Sequence, residues 1–231
     1  MLTLATTATN PAESPDDYHG PPIRVMSELA RQLEVWRDLL PEPLQWRDEK
    51  KLEFPVWDAQ GNSRQVAFAE KAEGMPREYG MSLDILTAQL RSRYYYARSM
   101  IYRPFVYKCL HFYGLTSQEE REGAAMCLNS ALMWPIALAP PSEKKRLVPY
   151  LFAWTQNFLA ILLVLRLATK RGPLFDIAAQ YVNMSELQDT IYLMLYWMHD
   201  MRLVDGTAQW SWNILKQLWP EAFSAANAAI E

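Results

Sequence analysis

Twenty residues near the middle of the chain, Arg91-Ser-Arg-Tyr-Tyr-Tyr-Ala-Arg-Ser-Met-Ile-Tyr-Arg-Pro-Phe-Val-Tyr-Lys-Cys-Leu110, crowd tyrosine and arginine together more densely than any other stretch. Rings and guanidinium groups at this spacing suit a helix that is buried along one side and partly desolvated along the next. Leu83, Leu86, Leu90, Tyr94, Ala97 and Ile101 recur at i, i+3, i+4 and i+7, so they form a stripe that predicts an amphipathic helix facing a core. Arg91, Tyr95, Arg98 and Tyr102 fall about a quarter-turn away, where each guanidinium can lie over a phenol ring one turn distant. Pro104 lacks an amide donor and biases Arg103 away from the α region, which predicts a break or kink between Tyr102 and Phe105. Arg103 is then expected to satisfy the carbonyls that such a kink leaves open.

The rest of the chain is expected to pack helices around this rod. Residues 1–22, rich in threonine, proline and aspartate, predict a disordered tail. A first helix over Ile23 to Leu40 would turn Val25, Leu29, Leu33, Trp36 and Leu40 inward and stop at Pro41 and Pro43. Residues 47–80 mix charges with Gly61, Gly74, Pro55 and Pro76 and predict a long connecting loop. Ser117 with Glu120 offers a capping box for a helix to about Ala139 that Pro135 should bend. Pro149 can open a helix that runs to Lys170 and stops at Gly172-Pro173. Ser185 with Gln188 would cap the next, and Asp205-Gly206 turns the chain into a last helix that carries Trp212, Leu215 and Trp219 inward. Residues 220–231 are expected to fray. No strand-like alternation and no repeat appears, so the fold class is all-α: one irregular domain of about six main helices over residues 23–219, with a kinked tyrosine-rich helix at its centre.

Several kinds of chemistry find little support. Net charge is -3, which argues against binding nucleic acid through an overall basic field. Arg91, Arg93, Arg98, Arg103 and Lys108 interleave with tyrosine as in a single-strand platform, yet their spacing spreads them round the helix, as cation–π packing would. Cys109 and Cys127 are the two cysteines, too few for a disulfide framework or a cysteine zinc site, and both read as buried thiols. The three histidines, His19, His111 and His199, have no ligand at i+3 or i+4, so no metal or other cofactor is expected. Neither a nucleophile elbow nor a glycine-rich phosphate loop occurs, and the chain is not expected to be an enzyme. Leu147 to Leu165 carries no formal charge, but Thr155, Gln156 and Asn157 at its middle and basic residues on both flanks favour a buried central helix over a membrane span. Nine Trp, twelve Tyr, eight Phe and eleven Met allow a ligand pocket lined by Trp154, Phe158, Tyr192, Trp197 and Met198, with Gln156 or Asn157 at its polar end; ordinary core packing is the competing account.

Tyr94-Tyr-Tyr-Ala-Arg-Ser-Met-Ile-Tyr-Arg-Pro-Phe-Val-Tyr-Lys108 with Leu110-His111 resembles the hallmark stretch in the regulatory domain of fungal zinc-binuclear-cluster transcription factors. Its motif residues here are Tyr94, Tyr95, Arg98, Tyr102, Arg103 and Pro104. Leu33-x-x-Trp36-x-x-x-Leu40-Pro41 followed by Leu44-x-Trp46 resembles the segment that precedes it in that family, and the Trp212 to Trp219 helix resembles the family's closing one. The resemblance runs from about Ile23 to Trp219 and implies a nuclear transcription-regulatory domain. The family's six-cysteine cluster and the earlier half of its regulatory domain have no counterpart in this sequence. Direct DNA contact is therefore not expected, and the implied partners are transcription machinery, a full-length paralogue or a small-molecule effector. An apolar face left by the missing half would make the chain sticky or a homodimer. Two other readings stay open: a helical small-molecule-binding protein or cryptic enzyme, and a truncated paralogue without function.

Overall fold

A computed structural model describes residues 20–48, 83–138, 151–203 and 205–220. Of the tails expected at 1–22 and 220–231 and the loop expected at 47–80, residues 1–19, 221–231 and 49–80 lie outside the described residues. Among the described residues there is no strand, and seven α-helices follow one another: α1 Ile23–Asp38, α2 Leu83–His111, α3 Gln118–Leu138, α4 Leu151–Thr169, α5 Pro173–Tyr181, α6 Met184–Met201 and α7 Gly206–Leu218. Short 3-10 turns at Glu42–Leu44 and Tyr113–Leu115 follow α1 and α2. The chain is an all-α, multi-helix protein.

The tyrosine-rich α2 runs on through Pro104, so the helix does not break there. Packing against α3 outweighs the lost amide bond: Pro104 itself and the following Phe105, Val106 and Cys109 are all buried. Arg103 is exposed, with Met100 Sδ 3.9 Å from its Nη1. The α2 stripe also turns out differently. Leu86 is exposed, and Leu90, Ala97 and Ile101 are only half-buried; the deeply buried positions include Ser92, Tyr94, Tyr95 and Ser99. Small serines let α3 approach closely, and the Cys127 thiol donates to the Ser99 carbonyl at 3.2 Å.

α2 and α3 form an antiparallel pair, with Cys127 beside Ser99 and Lys108 Nζ 2.7 Å from Glu120 Oε1 near the connection. The turn is fixed by the capping box: Ser117 Oγ accepts from the Glu120 amide at 3.2 Å, and Glu120 Oε2 accepts from the Ser117 amide at 2.9 Å. At Gly123 the pair is tight, because a Cβ there would lie 2.5 Å from Phe105 Cδ2.

Pro173, expected only to stop the preceding helix, instead starts α5. Gly172 takes a φ of 153°, a left-handed-side value that suits glycine, and proline at the first helical position loses no helical bond. Its apolar residues Leu174, Ile177 and Ala178 then face the core. α6 is capped two residues earlier than expected, by Asn183 Oδ1, which accepts from the Ser185 and Glu186 amides. α4 is not enclosed on every side: Thr155, Phe158, Ile161, Leu162, Leu165 and Ala168 are buried, whereas Gln156, Ala160, Leu163 and Leu167 are exposed. No helix among the described residues is long and apolar enough to cross a membrane.

Aromatic rings stitch the helices together. Tyr96 of α2, Trp134 of α3, Phe158 of α4 and Trp197 of α6 succeed one another with centroids 6.2, 5.1 and 5.9 Å apart, mostly edge to face. α4 and α7 lie side by side in parallel, since Thr155 meets Asp205 at one end and Arg166 lies 5.1 Å from the Trp219 ring at the other. Trp212, Leu215 and Trp219 point inward, as their spacing predicts.

Candidate functional site

The most elaborate side-chain cluster lies where the N-terminal arm, residues 20–48, crosses α2. Met26 and Ala30 of α1 are buried and Ile23, Leu29 and Leu33 pack beside them, while Val25 and Trp36, expected inward, are exposed. That rotation carries Glu34 and Arg37 toward α2. Pro41 and the 3-10 turn then reverse the chain, Gln45 Nε2 donates to the Leu40 carbonyl at 2.9 Å, and Trp46 and Asp48 are delivered back over α1's last turn.

Trp46, Tyr94 and Tyr95 form a run of rings, Trp46 to Tyr94 at 5.5 Å and Tyr94 to Tyr95 at 5.0 Å, both edge to face. The Arg37 guanidinium lies 4.9 Å from the Trp46 centroid and 5.1 Å from that of Tyr94, so it is clasped by both. It donates from Nη1 to Asp48 Oδ2 at 2.9 Å and from Nη2 to the Trp46 carbonyl at 3.3 Å. The other Asp48 oxygen accepts from the Tyr95 hydroxyl. Tyr94 donates its hydroxyl proton to Glu34 Oε1 at 2.6 Å, and Arg98 Nε pairs with the same oxygen at 3.8 Å. Arg91 stands 6.0 Å from the Tyr95 ring centroid, and its Nε and Nη2 are buried with no hydrogen-bond partner among the described residues.

This setting holds Tyr94, Tyr95, Asp48 and Arg37 in the states that suit the clasp. Burial, reinforced by the bond to Glu34, pushes the Tyr94 phenol up to about 12. Burial and the bond to Asp48 raise that of Tyr95 further. For Asp48, burial favours the neutral acid, but the hydrogen bonds from Tyr95 and Arg37 outweigh it and leave the carboxyl below its usual range. Burial likewise opposes the charge on Arg37, and its bonds to Asp48 and Tyr94 reverse that effect. Protonated phenols, an ionised Asp48 and a clasped guanidinium make a device for holding two segments together.

The motif residues separate along α2. Tyr94, Tyr95 and Arg98 belong to the clasp; Tyr102 is half-buried against the Phe105 ring at 6.3 Å; Arg103 is exposed and Pro104 buried. Of the residues expected to line a pocket, Phe158 and Trp197 meet as links in the aromatic seam, and Met198 is wholly buried. Gln156 and Tyr192 are exposed, Asn157 is half-buried, and the Trp154 side chain lies outside the described residues. The polar group that α4 does bury is Thr155, whose hydroxyl donates to Asp205 Oδ2 at 2.9 Å. His111 stacks on Tyr107 at 4.4 Å and His199 lies 5.1 Å from Trp212; among the described residues no group of three His, Cys, Asp or Glu could hold a metal ion.

Sequence reasoning missed Glu34, Arg37 and Asp48. One signal was present. The i, i+4, i+7, i+11 series Met26, Ala30, Leu33, Arg37 is a competing inward stripe of α1 that ends in a cation. Asp48 carried no signal, because its partner lies 47 positions away.

No protein-family model, no curated protein and no solved structure matches this chain.

Proposed function

We propose that this chain is a transcription-regulatory scaffold of the kind found in the later part of fungal zinc-cluster regulatory domains, one that works by contact in the nucleus and without DNA binding of its own. The observation that carries the reading is the clasp. The segments that bear the resemblance, Leu33 to Leu40, Leu44 to Trp46 and the tyrosine motif at Tyr94, are far apart in sequence and meet at one place, through Tyr94–Glu34, Tyr94–Trp46 and Arg37. A fold that spends its most specific side chains on joining two of its own segments is suited to presenting surfaces. The net charge of -3 agrees with partners other than nucleic acid.

Two measurements test it. Fused to an unrelated DNA-binding domain in a fungal reporter strain, the chain should change reporter output, and a Tyr95→Ala fusion produced at the same level should lose the effect; unchanged output would overturn the regulatory reading. The purified chain should leave DNA unretarded at physiological salt, and sequence-specific retardation would overturn the claim of no DNA contact.

A further inference from the structure

Among the described residues the arm packs substantially against α2 alone, whereas α2 also forms the long antiparallel pair with α3 and the later helices pack on one another. The arm buries Met26 and Ala30 along an apolar edge and brings Glu34, Arg37, Trp46 and Asp48 to α2 as its polar and aromatic contacts. Without the arm, this face of α2 would hold two guanidinium groups, Arg91 and Arg98, and two phenol donors, Tyr94 and Tyr95, with no acceptor from α1. Such an excess of donors rejects a cationic partner and calls for carboxylates together with a flat ring. Even with the arm seated, the groove is short of acceptors, because Arg91 Nε and Nη2 are buried without a hydrogen-bond partner among the described residues.

We infer that this groove on α2 is a docking site for an acidic partner segment built like the arm itself, a helix bearing a glutamate followed by tryptophan-x-aspartate, and that the arm is its internal occupant, displaced when the partner binds. The inference rests on the contact-based function proposed above and names the partner's chemistry. A partner that adds one carboxylate for Arg91 gains a hydrogen bond that Arg91 Nε and Nη2 do not make to the arm. The tether keeps the arm at high effective concentration, so the groove is masked until the arm is weakened or outcompeted. The charge-assisted bonds are contacts that a carboxylate-bearing partner can replace, and the arm's buried Met26 and Ala30 are the apolar contacts that such a partner must match.

The probe is a synthetic peptide of residues 23–48 carrying a fluorophore, titrated with the full chain and read by fluorescence anisotropy. Wild-type chain should bind it weakly. The full chain with Trp46→Ala and Asp48→Asn, whose own arm is weakened, should bind it at least tenfold more tightly, and adding Tyr94→Phe or Tyr95→Phe, which removes a phenol donor to the peptide's Glu34 or Asp48, should abolish that gain. Circular dichroism establishes that each variant keeps its helix content. A helical weakened-arm variant that ignores the peptide would overturn the inference, as would wild-type chain that binds as tightly as the variant. A wild-type dimer that dissociates when the arm is weakened would assign the groove to a second copy's arm and overturn the intramolecular occupancy. None of these results depends on the reporter output, so the docking claim and the regulatory reading can fail separately.

Discussion

Alanine at position 123 tests a tight contact in the α2–α3 pair, where two effects of opposite sign meet. In an exposed helix interior, Gly→Ala stabilises by roughly 0.8–1.0 kcal/mol through backbone entropy. At Gly123 the new Cβ would lie 2.5 Å from Phe105 Cδ2, 3.0 Å from Cγ and 3.1 Å from Cε2. Relaxed carbon contacts need about 3.5–4.0 Å, so the ring must retreat by roughly 1 Å. Phe105 cannot easily comply: it is 2% exposed, and the crowded atoms include Cγ, which moves little with ring rotation. Overpacking of this kind costs about 1–3 kcal/mol. The balance is a net loss of about 1 kcal/mol, equivalent to a fall of about 2–4 °C in the thermal midpoint for a chain of this size. Thermal and denaturant unfolding of Gly123→Ala should both show the loss. Phe105→Leu should also cost less when combined with Gly123→Ala than in the parent chain, because the smaller side chain relieves the clash. A raised midpoint for Gly123→Ala would mean that the ring yields at negligible cost and would refute the claim that this contact fixes the helix spacing.

Three further outcomes follow from the same geometry. The Asp48 carboxyl is held below its usual 3.8, so its contribution to the clasp is complete above that value and is lost as pH falls through the lower folded value. Hydrogen exchange of α1 amides should therefore accelerate selectively in acid, and Asp48→Asn should show the fast exchange already at neutral pH; its 43% exposed side chain keeps the effect modest. The Thr155 hydroxyl supports Asp205, which in turn accepts from the Thr207 and Ala208 amides as the N-cap of α7. Thr155→Val and Asp205→Ala should each cost about 1–2 kcal/mol in denaturant unfolding, with the double variant costing clearly less than their sum. Burial pushes the Cys109 thiol up to about 11 and that of Cys127 up to about 12. A thiol reagent at neutral pH should modify neither in the native chain and both after unfolding; fast native labelling would contradict their burial.

The sequence by itself determined whatever depends on near neighbours. Apolar periodicity and the absence of alternation fixed an all-helical chain, Ser117 with Glu120 fixed the start of α3, Asp205-Gly206 fixed that of α7, and the spacing of Trp212, Leu215 and Trp219 fixed the buried face of the last helix. Each of these is a contest among residues within one or two turns, where backbone hydrogen bonding and side-chain direction are set locally. Tertiary structure decided the rest. Pro104 was absorbed into a continuous α2 because the buried residues that follow it hold the helix together across the missing amide. α1 turned Arg37 rather than Trp36 toward α2 because Asp48 and two aromatic rings awaited the guanidinium there. One side of α4 stayed in solvent because the helices beside it cover only the other. A periodic pattern states that a helix has a buried face; it leaves open which of two overlapping stripes wins, because that choice depends on groups supplied from distant parts of the chain.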